Sequence, residues 1–144
     1  MEQKEVLKIQ SQVCFPLYAC SKEVIKQYRP YLDELNLTYT QYIAMSVLWE
    51  QKACSLKDLG EKIYLDSGTL TPMLKNLESK GFIKRTRSCV DERVLEISIT
   101  QLGEDLKQKA DLVQEKMQKW SSLNCCEMKT LFNLLNKLLK DITE

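Results

Sequence analysis

The chain has 144 residues, 44% of them hydrophobic and 28% charged, and a formal net charge of only +1. That length suits one domain with a real core, or a compact binding module plus association helices. Histidine is absent, which excludes Ser–His and Cys–His catalysis and makes zinc sites poor readings, and no metal or cofactor is expected.

The opening residues MEQKEVLKIQ carry charge throughout and lack the apolar run of a secretory leader. No stretch approaches the roughly 20 apolar residues needed to cross a bilayer, so a cytoplasmic protein without a membrane partner is expected. The pattern predicts six helices and one β-hairpin, with four Gly and three Pro implying few loops. The first helix carries Leu17, Tyr18, Val24, Ile25 and Tyr28 and is expected to end near Arg29-Pro30, because proline disfavours helix in the residue before it. A second runs from about 40 to 50 with Tyr42, Ile43, Met45, Val47, Leu48 and Trp49. Ser55 followed by Asp58 marks a cap opening a short third helix, SLKDLGEKI.

The fourth helix and the hairpin after it form the most informative segment. Asp66 or Ser67 supplies an N-cap oxygen. Leu70, Met73, Leu74 and Leu77 then fall at helical spacing on one stripe. Gly81 is placed to end the helix in a left-handed conformation, and Phe82-Ile83 open an extended run to Lys84-Arg85-Thr86-Arg87. Leu95, Ile97 and Ile99 alternate with polar residues as a second strand. Thr100 followed by Gly103-Glu104 opens a long charged fifth helix. Asn124 and Glu127 cap a last helix whose Leu131, Leu135, Leu138 and Leu139 form an apolar stripe in search of a partner, with a helical dimer interface as the expected answer. The fold class is therefore mainly α with a small β-hairpin wing: a winged helix-turn-helix over 36–100, flanked by dimerisation helices over 1–35 and 101–144 of a single chain.

Between Thr71 and Arg87 stand Lys75, Lys80, Lys84, Arg85 and Arg87 against one anion, Glu78, a local balance of +4 on a nearly neutral chain. A basic helix and hairpin on such a background aim a positive field at one partner surface, for which duplex DNA phosphate is the natural counterpart. Six cysteines at 14, 20, 54, 89, 125 and 126 include no CxxC pair. A disulfide framework is not expected in the cytosol, and thiol redox chemistry is the main chemical option left.

The segments VCFPLYACSKEVIKQYRPYLDEL (13–35), LTYTQYIAMSVLWE (37–50), LGEKIYLDSGTLTPMLKNLESKGFIKRTRS (59–88) and DERVLEISIT (91–100) together resemble the MarR family of winged-helix transcription regulators, and within it the OhrR-type organic hydroperoxide sensors. The resemblance runs from about Val13 and fades over the last thirty residues. It implies a homodimer on a pseudo-palindromic operator, with two recognition helices in successive major grooves about 34–36 Å apart. Ser67, Thr69, Thr71 and Lys75 are then the base-reading candidates, Arg85 and Arg87 the phosphate contacts. The family inserts the arginine of an Asp-x-Arg wing motif into the minor groove; here the motif is Asp91 and Arg93, the carboxylate orienting the guanidinium. Pro72 is expected within the first turn or so of the fourth helix, where its missing N–H costs little.

The resemblance also implies a redox sensor at Cys14. Pro16 suits a first helical turn and so places Cys14 close to a helix N-terminus, where free N–H groups favour a thiolate; this proline departs from the family's usual aliphatic residue. In the family, tyrosine hydroxyls of the partner subunit bond the reactive sulfur. The matching positions are Tyr28 and Tyr39, with Tyr18 a lesser candidate. Phe15, Tyr42 and Trp49 are candidate walls of an apolar pocket for organic hydroperoxide. Oxidation would give a sulfenic acid, then a disulfide with another thiol: a low-molecular-weight thiol, or Cys125 or Cys126 as resolving residue. Cys20 reads as packing, Cys54 as incidental, and Cys89 as a plain exposed thiol or a second redox handle. Three alternatives stay open: a MarR-type regulator of a small aromatic or anionic ligand, a thiol-switch regulator of wider stress or virulence genes, and, remotely, a thiol peroxidase, for which the thioredoxin-like pattern is missing.

Overall fold

The computed structural model describes residues 12–144; the charged opening segment read above as lacking a leader lies outside these residues, apart from which every expected helix is found. The elements are α1 (Cys14–Asp33), α2 (Tyr39–Gln51), β1 (Ala53–Ser55), α3 (Leu56–Ile63), α4 (Ser67–Ser79), β2 (Ile83–Arg87), β3 (Leu95–Ile99), α5 (Gln101–Asp105), α6 (Lys107–Met117) and α7 (Cys125–Thr143).

Caps explain most of the starts. Thr38 accepts a hydrogen bond from the N–H of Gln41, whose side chain in turn accepts from the Thr38 N–H, a reciprocal box. Ser55, Asp66, Thr100 and Asn124 cap α3, α4, α5 and α7 through their side chains. Gly81, at φ +83°, stands just past the C-cap Lys80 and turns the chain from α4 into β2. The core packs Met45 and Leu48 of α2 against Leu59, the α4 stripe Leu70, Leu74 and Leu77, and Ile83 and Ile97 of the sheet.

Four details differ from expectation. First, α1 runs through Pro30 to Asp33. Pro30 is exposed and removes only one bond near the helix end, while Leu32 beyond it is buried at 2% exposure; packing outweighs the local preference. Second, Pro72 is the sixth residue of α4, in its second turn rather than its first, on the exposed side of the helix. Third, the wing is not a bare hairpin. β1 adds a third strand in the order β1-β3-β2, all antiparallel, with Cys54 opposite Ile97 and Arg85 opposite Ile97 from the other side. Cys54 is thus a half-buried ladder residue packed on the core, and burial pushes its thiol pKa up. Fourth, the charged fifth helix is divided at Leu106 into α5 and α6.

The start of α5 is pinned from two sides. Trp49 Nε1 donates to the Gly103 carbonyl at 2.8 Å, and the Thr100 N–H donates to the Phe82 carbonyl at 3.1 Å.

Candidate nucleic-acid interface and thiol site

α4 presents its first turn to solvent. Asp66 Oδ1 accepts from the Thr69 N–H at 2.7 Å, and the Asp66 carboxyl is held below its ordinary pKa by the Thr69 and Gly68 amides. Ser67, Thr69 and Lys75 are exposed, while Thr71 is half-buried and spends its proton on the Ser67 carbonyl at 2.7 Å, leaving its oxygen free only to accept. At the wing, Ser88 and Val94 close the turn through a 2.9 Å backbone bond, and the tip is fully open, Val90 being 98% exposed. Asp91 Oδ1 accepts from the Arg93 N–H at 3.0 Å and lies 3.7 Å from its Nε. The rest of the Arg93 side chain projects into solvent, 95% exposed.

Two of the five basic residues point inward. Arg85 grips Glu78 through its backbone N–H (2.9 Å), Nε (3.3 Å) and Nη2 (3.1 Å). A half-buried guanidinium bound to a carboxylate fastens the end of α4 to β2, a structural role not expected from the sequence beside that of phosphate contact. Lys80 Nζ donates to the Asn36 carbonyl at 2.6 Å and to Gln41 Oε1 at 3.2 Å, and burial lowers its pKa. The outward cations are Lys75, Lys84, Arg87 and Arg93.

The Arg85 bonds hold the Glu78 carboxyl below its ordinary pKa, the backbone N–H contributing most. A carboxylate with a depressed folded-state pKa stabilises above its ordinary range and loses that contribution as pH falls through it. Wild type should therefore lose melting temperature more steeply than Glu78→Gln between roughly pH 5 and 3. Parallel curves for the two proteins would remove the pair from the account of the wing.

Cys14 is the first residue of α1 and is exposed, with Pro16 in the first turn as expected. Tyr28 and Tyr39 do come together: their ring centroids are 5.1 Å apart, and Tyr42 joins at 5.9 and 6.4 Å, backed by Trp49 at 6.2 Å. Gln114 donates to the Tyr42 hydroxyl. Burial raises the pKa of Tyr28, Tyr39 and Tyr42, which keeps these phenols protonated as donors. Cys14 is not part of that cluster within one chain. It shares α1 with Tyr28 at a separation of fourteen residues, about 21 Å of helix. Tyr18 lies apart, exposed, with the Lys22 ammonium 5.2 Å from its ring centre.

α7 buries none of its side chains against the rest of the described chain. Leu131, Leu135, Leu138 and Leu139 stay 36–41% exposed, and Phe132 reaches 65%. Phe15, Leu17 and Ile25 of α1 and Leu112 of α6 are likewise uncovered. Cys125 and Cys126 open α7 on the surface, and Cys20 and Cys89 are also exposed; Cys20 does not pack within its own described chain.

Sequence reasoning missed the link between α2 and α4. Gln41 is the one buried polar side chain among the described residues, and its Nε2 donates to Asn76 Oδ1 at 2.8 Å. The Thr38-x-x-Gln41 spacing of a capping box would have marked the residue, though not its second partner.

Over 143 residues the chain is 46% identical to the organic hydroperoxide resistance transcriptional regulator of Bacillus subtilis, covering 99% of this chain and 97% of the relative. The chain belongs to the MarR family of winged-helix transcription regulators, in its OhrR-type branch. The sequence profile described as transcriptional regulator SarA/Rot matches residues 26–111 of this MarR-family chain. Among solved structures, reduced AbfR of Staphylococcus epidermidis bound to DNA is 33% identical, covers 100% of both chains and superposes with a TM-score of 0.82. The disulfide form of AbfR, 31% identical over 99% of this chain and 98% of that one, gives 0.70. Overoxidised AbfR bound to DNA, 32% identical over 99% of both chains, superposes as well as the reduced form, with a TM-score of 0.82, so this chain's backbone departs more from the disulfide form than from either DNA-bound form. Its relatives are named as transcription regulators, which are not enzymes, and among the described residues no helix is long and apolar enough to cross a membrane.

Proposed function

We propose that this MarR-family protein is a cytoplasmic, homodimeric repressor that releases a pseudo-palindromic operator when organic hydroperoxide oxidises Cys14. It is a sensor rather than an enzyme, each oxidation event being stored in the protein. The observation that carries this reading is the exposed position of Cys14 at the first turn of α1, beyond reach of the tyrosines of its own chain, together with apolar faces on α1 and α7 that a second copy would cover. Residues 1–35 and 101–144 then build the dimer, and 36–100 read DNA.

The chemistry balances without a cofactor. The Cys14 thiolate attacks the terminal oxygen of the hydroperoxide. An S–O bond forms, the O–O bond breaks, and the alkoxide leaves to take a proton as the alcohol. Sulfur is oxidised by two electrons to a sulfenic acid, and a low-molecular-weight thiol then condenses with it, giving a mixed disulfide and water. Tyr28 and Tyr39 of the partner donate hydrogen bonds to the thiolate, and its oxidation disturbs the subunit contact. Cys125 and Cys126, exposed at the start of α7, are the internal thiols that would compete for the sulfenic acid. On DNA, Ser67, Thr69, Thr71 and Lys75 face the major groove, Arg87 contacts phosphate, and Arg93 enters the minor groove under the hold of Asp91.

The test is binding to a palindrome from upstream of the protein's own gene, using wild type and Cys14→Ser, with and without cumene hydroperoxide, then with reductant. Wild type should release the DNA and rebind on reduction, while Cys14→Ser stays bound. Equal responses from both proteins would transfer the sensor role elsewhere.

A further inference from the structure

We infer that the hydrogen bond from Gln41 to Asn76 is the positioning link through which the tyrosine end of α2 sets the angle of the recognition helix α4, and through it DNA release. The inference rests on the redox reading above. Gln41 is 3% exposed and bonded through both ends of its amide: Oε1 accepts from the Thr38 N–H at 3.0 Å and from Lys80 Nζ at 3.2 Å, and Nε2 donates to Asn76 at 2.8 Å. Thr38 is the cap of α2, and Tyr39, the next residue, has its ring against Tyr28. A shift of the tyrosines therefore moves the same helical turn that holds Gln41.

On the far side, Asn76 and Lys80 are successive turns at the end of α4 and its cap. Lys80 also bonds the carbonyl of Asn36, whose φ of +57° forms the corner between α1 and α2. One buried amide thus joins the corner, the α2 cap and the recognition helix. Beside this bond and the one from Lys80 at the α4 cap, Met45 and Leu48 of α2 share the apolar core with Leu70, Leu74 and Leu77 of α4. Apolar contacts are non-directional, whereas a hydrogen bond weakens steeply once bent. The Gln41–Asn76 bond, at 2.8 Å the shorter of the two that Gln41 makes to the end of α4, is the one between side chains within the helices themselves and so responds to their angle.

Asn76 is itself exposed, so truncating it opens no cavity in the apolar core and removes only the acceptor of Gln41 Nε2. The experiment measures the dissociation constant of the full-length protein for operator DNA, reduced and after cumene hydroperoxide with a low-molecular-weight thiol. The proteins compared are wild type, Asn76→Ala and Asn76→Asp. The readout is the ratio of oxidised to reduced constants, which a merely structural role would not move. Asn76→Ala should lower that ratio about three- to tenfold, the range a single hydrogen bond spans. Asn76→Asp keeps the acceptor and should keep the wild-type ratio, even though its added negative charge weakens binding in both states. An unchanged ratio in Asn76→Ala, or an equal fall in Asn76→Asp, would overturn the link alone. No oxidative loss of affinity in wild type would overturn the redox reading together with it.

Discussion

Arg93→Ala is expected to cost this protein on the order of 10²-fold in operator affinity or more without lowering its melting temperature. The side chain is 95% exposed and its ion pair to Asp91 is long at 3.7 Å; such surface pairs contribute little to stability. Among the described residues this guanidinium is held by no more than that surface pair. On DNA the balance reverses. A side chain read into a groove is worth about 1–3 kcal/mol, and a dimer carries the wing twice, so the losses compound. Comparing operator with unrelated DNA at several salt concentrations separates this effect from a plain loss of charge, because losing a phosphate contact alone weakens binding to both DNAs alike as it reduces the salt slope. Wild-type affinity near physiological salt would remove the wing tip from the interface.

Gly103→Ala should be the most damaging single methyl in the described chain. A Cβ there would stand 2.2 Å from the Phe82 carbonyl oxygen, 2.8 Å from Ile99 and 3.2 Å from Met45. Neither side can yield cheaply. The Phe82 oxygen accepts from the Thr100 N–H, and the Gly103 oxygen accepts from buried Trp49. Relief requires breaking one of these bonds or reopening the core, at about 2–4 kcal/mol for overpacking plus a weakened buried hydrogen bond. Melting temperature should fall by roughly 10 °C. Gly68→Ala is the matched control: its nearest neighbour would be Asp66 Oδ1 at an ordinary 3.4 Å, and alanine suits a helix better than glycine. A Gly103→Ala protein melting within about 2 °C of wild type would show that the junction at α5 is softer than its contacts imply.

The features legible in sequence were those governed by local chemistry. Asp66, Ser55, Thr100 and Asn124 cap helices because a short polar side chain reaches its own backbone, and spacing alone reveals that. The Leu70–Leu74–Leu77 stripe and the Leu95–Ile97–Ile99 alternation reflect helix and strand periods. What escaped depends on direction across the fold. Arg85 and Lys80 count as cations in any tally of charge, yet each turns inward to a partner that the chain brings near only when folded. β1 is three residues long, too short to show a period, and exists because β3 offers it an edge. Pro30 obeyed no local rule because Leu32 gains more from burial than the helix loses. Of the site, Cys14 and the paired tyrosines were named from family likeness. Their separation along α1 shows why no single-chain reasoning could join them.

The uncovered face of α7 carries a consequence for how the protein is measured. A nineteen-residue helix with no buried side chain has little reason to persist alone. If, as proposed, a second chain covers it, folding and association become one mass-action equilibrium. The unfolding midpoint should climb with protomer concentration, and dilution alone should loosen the grip on DNA. The cell's stock of this regulator is then itself an input to the switch, alongside the oxidant.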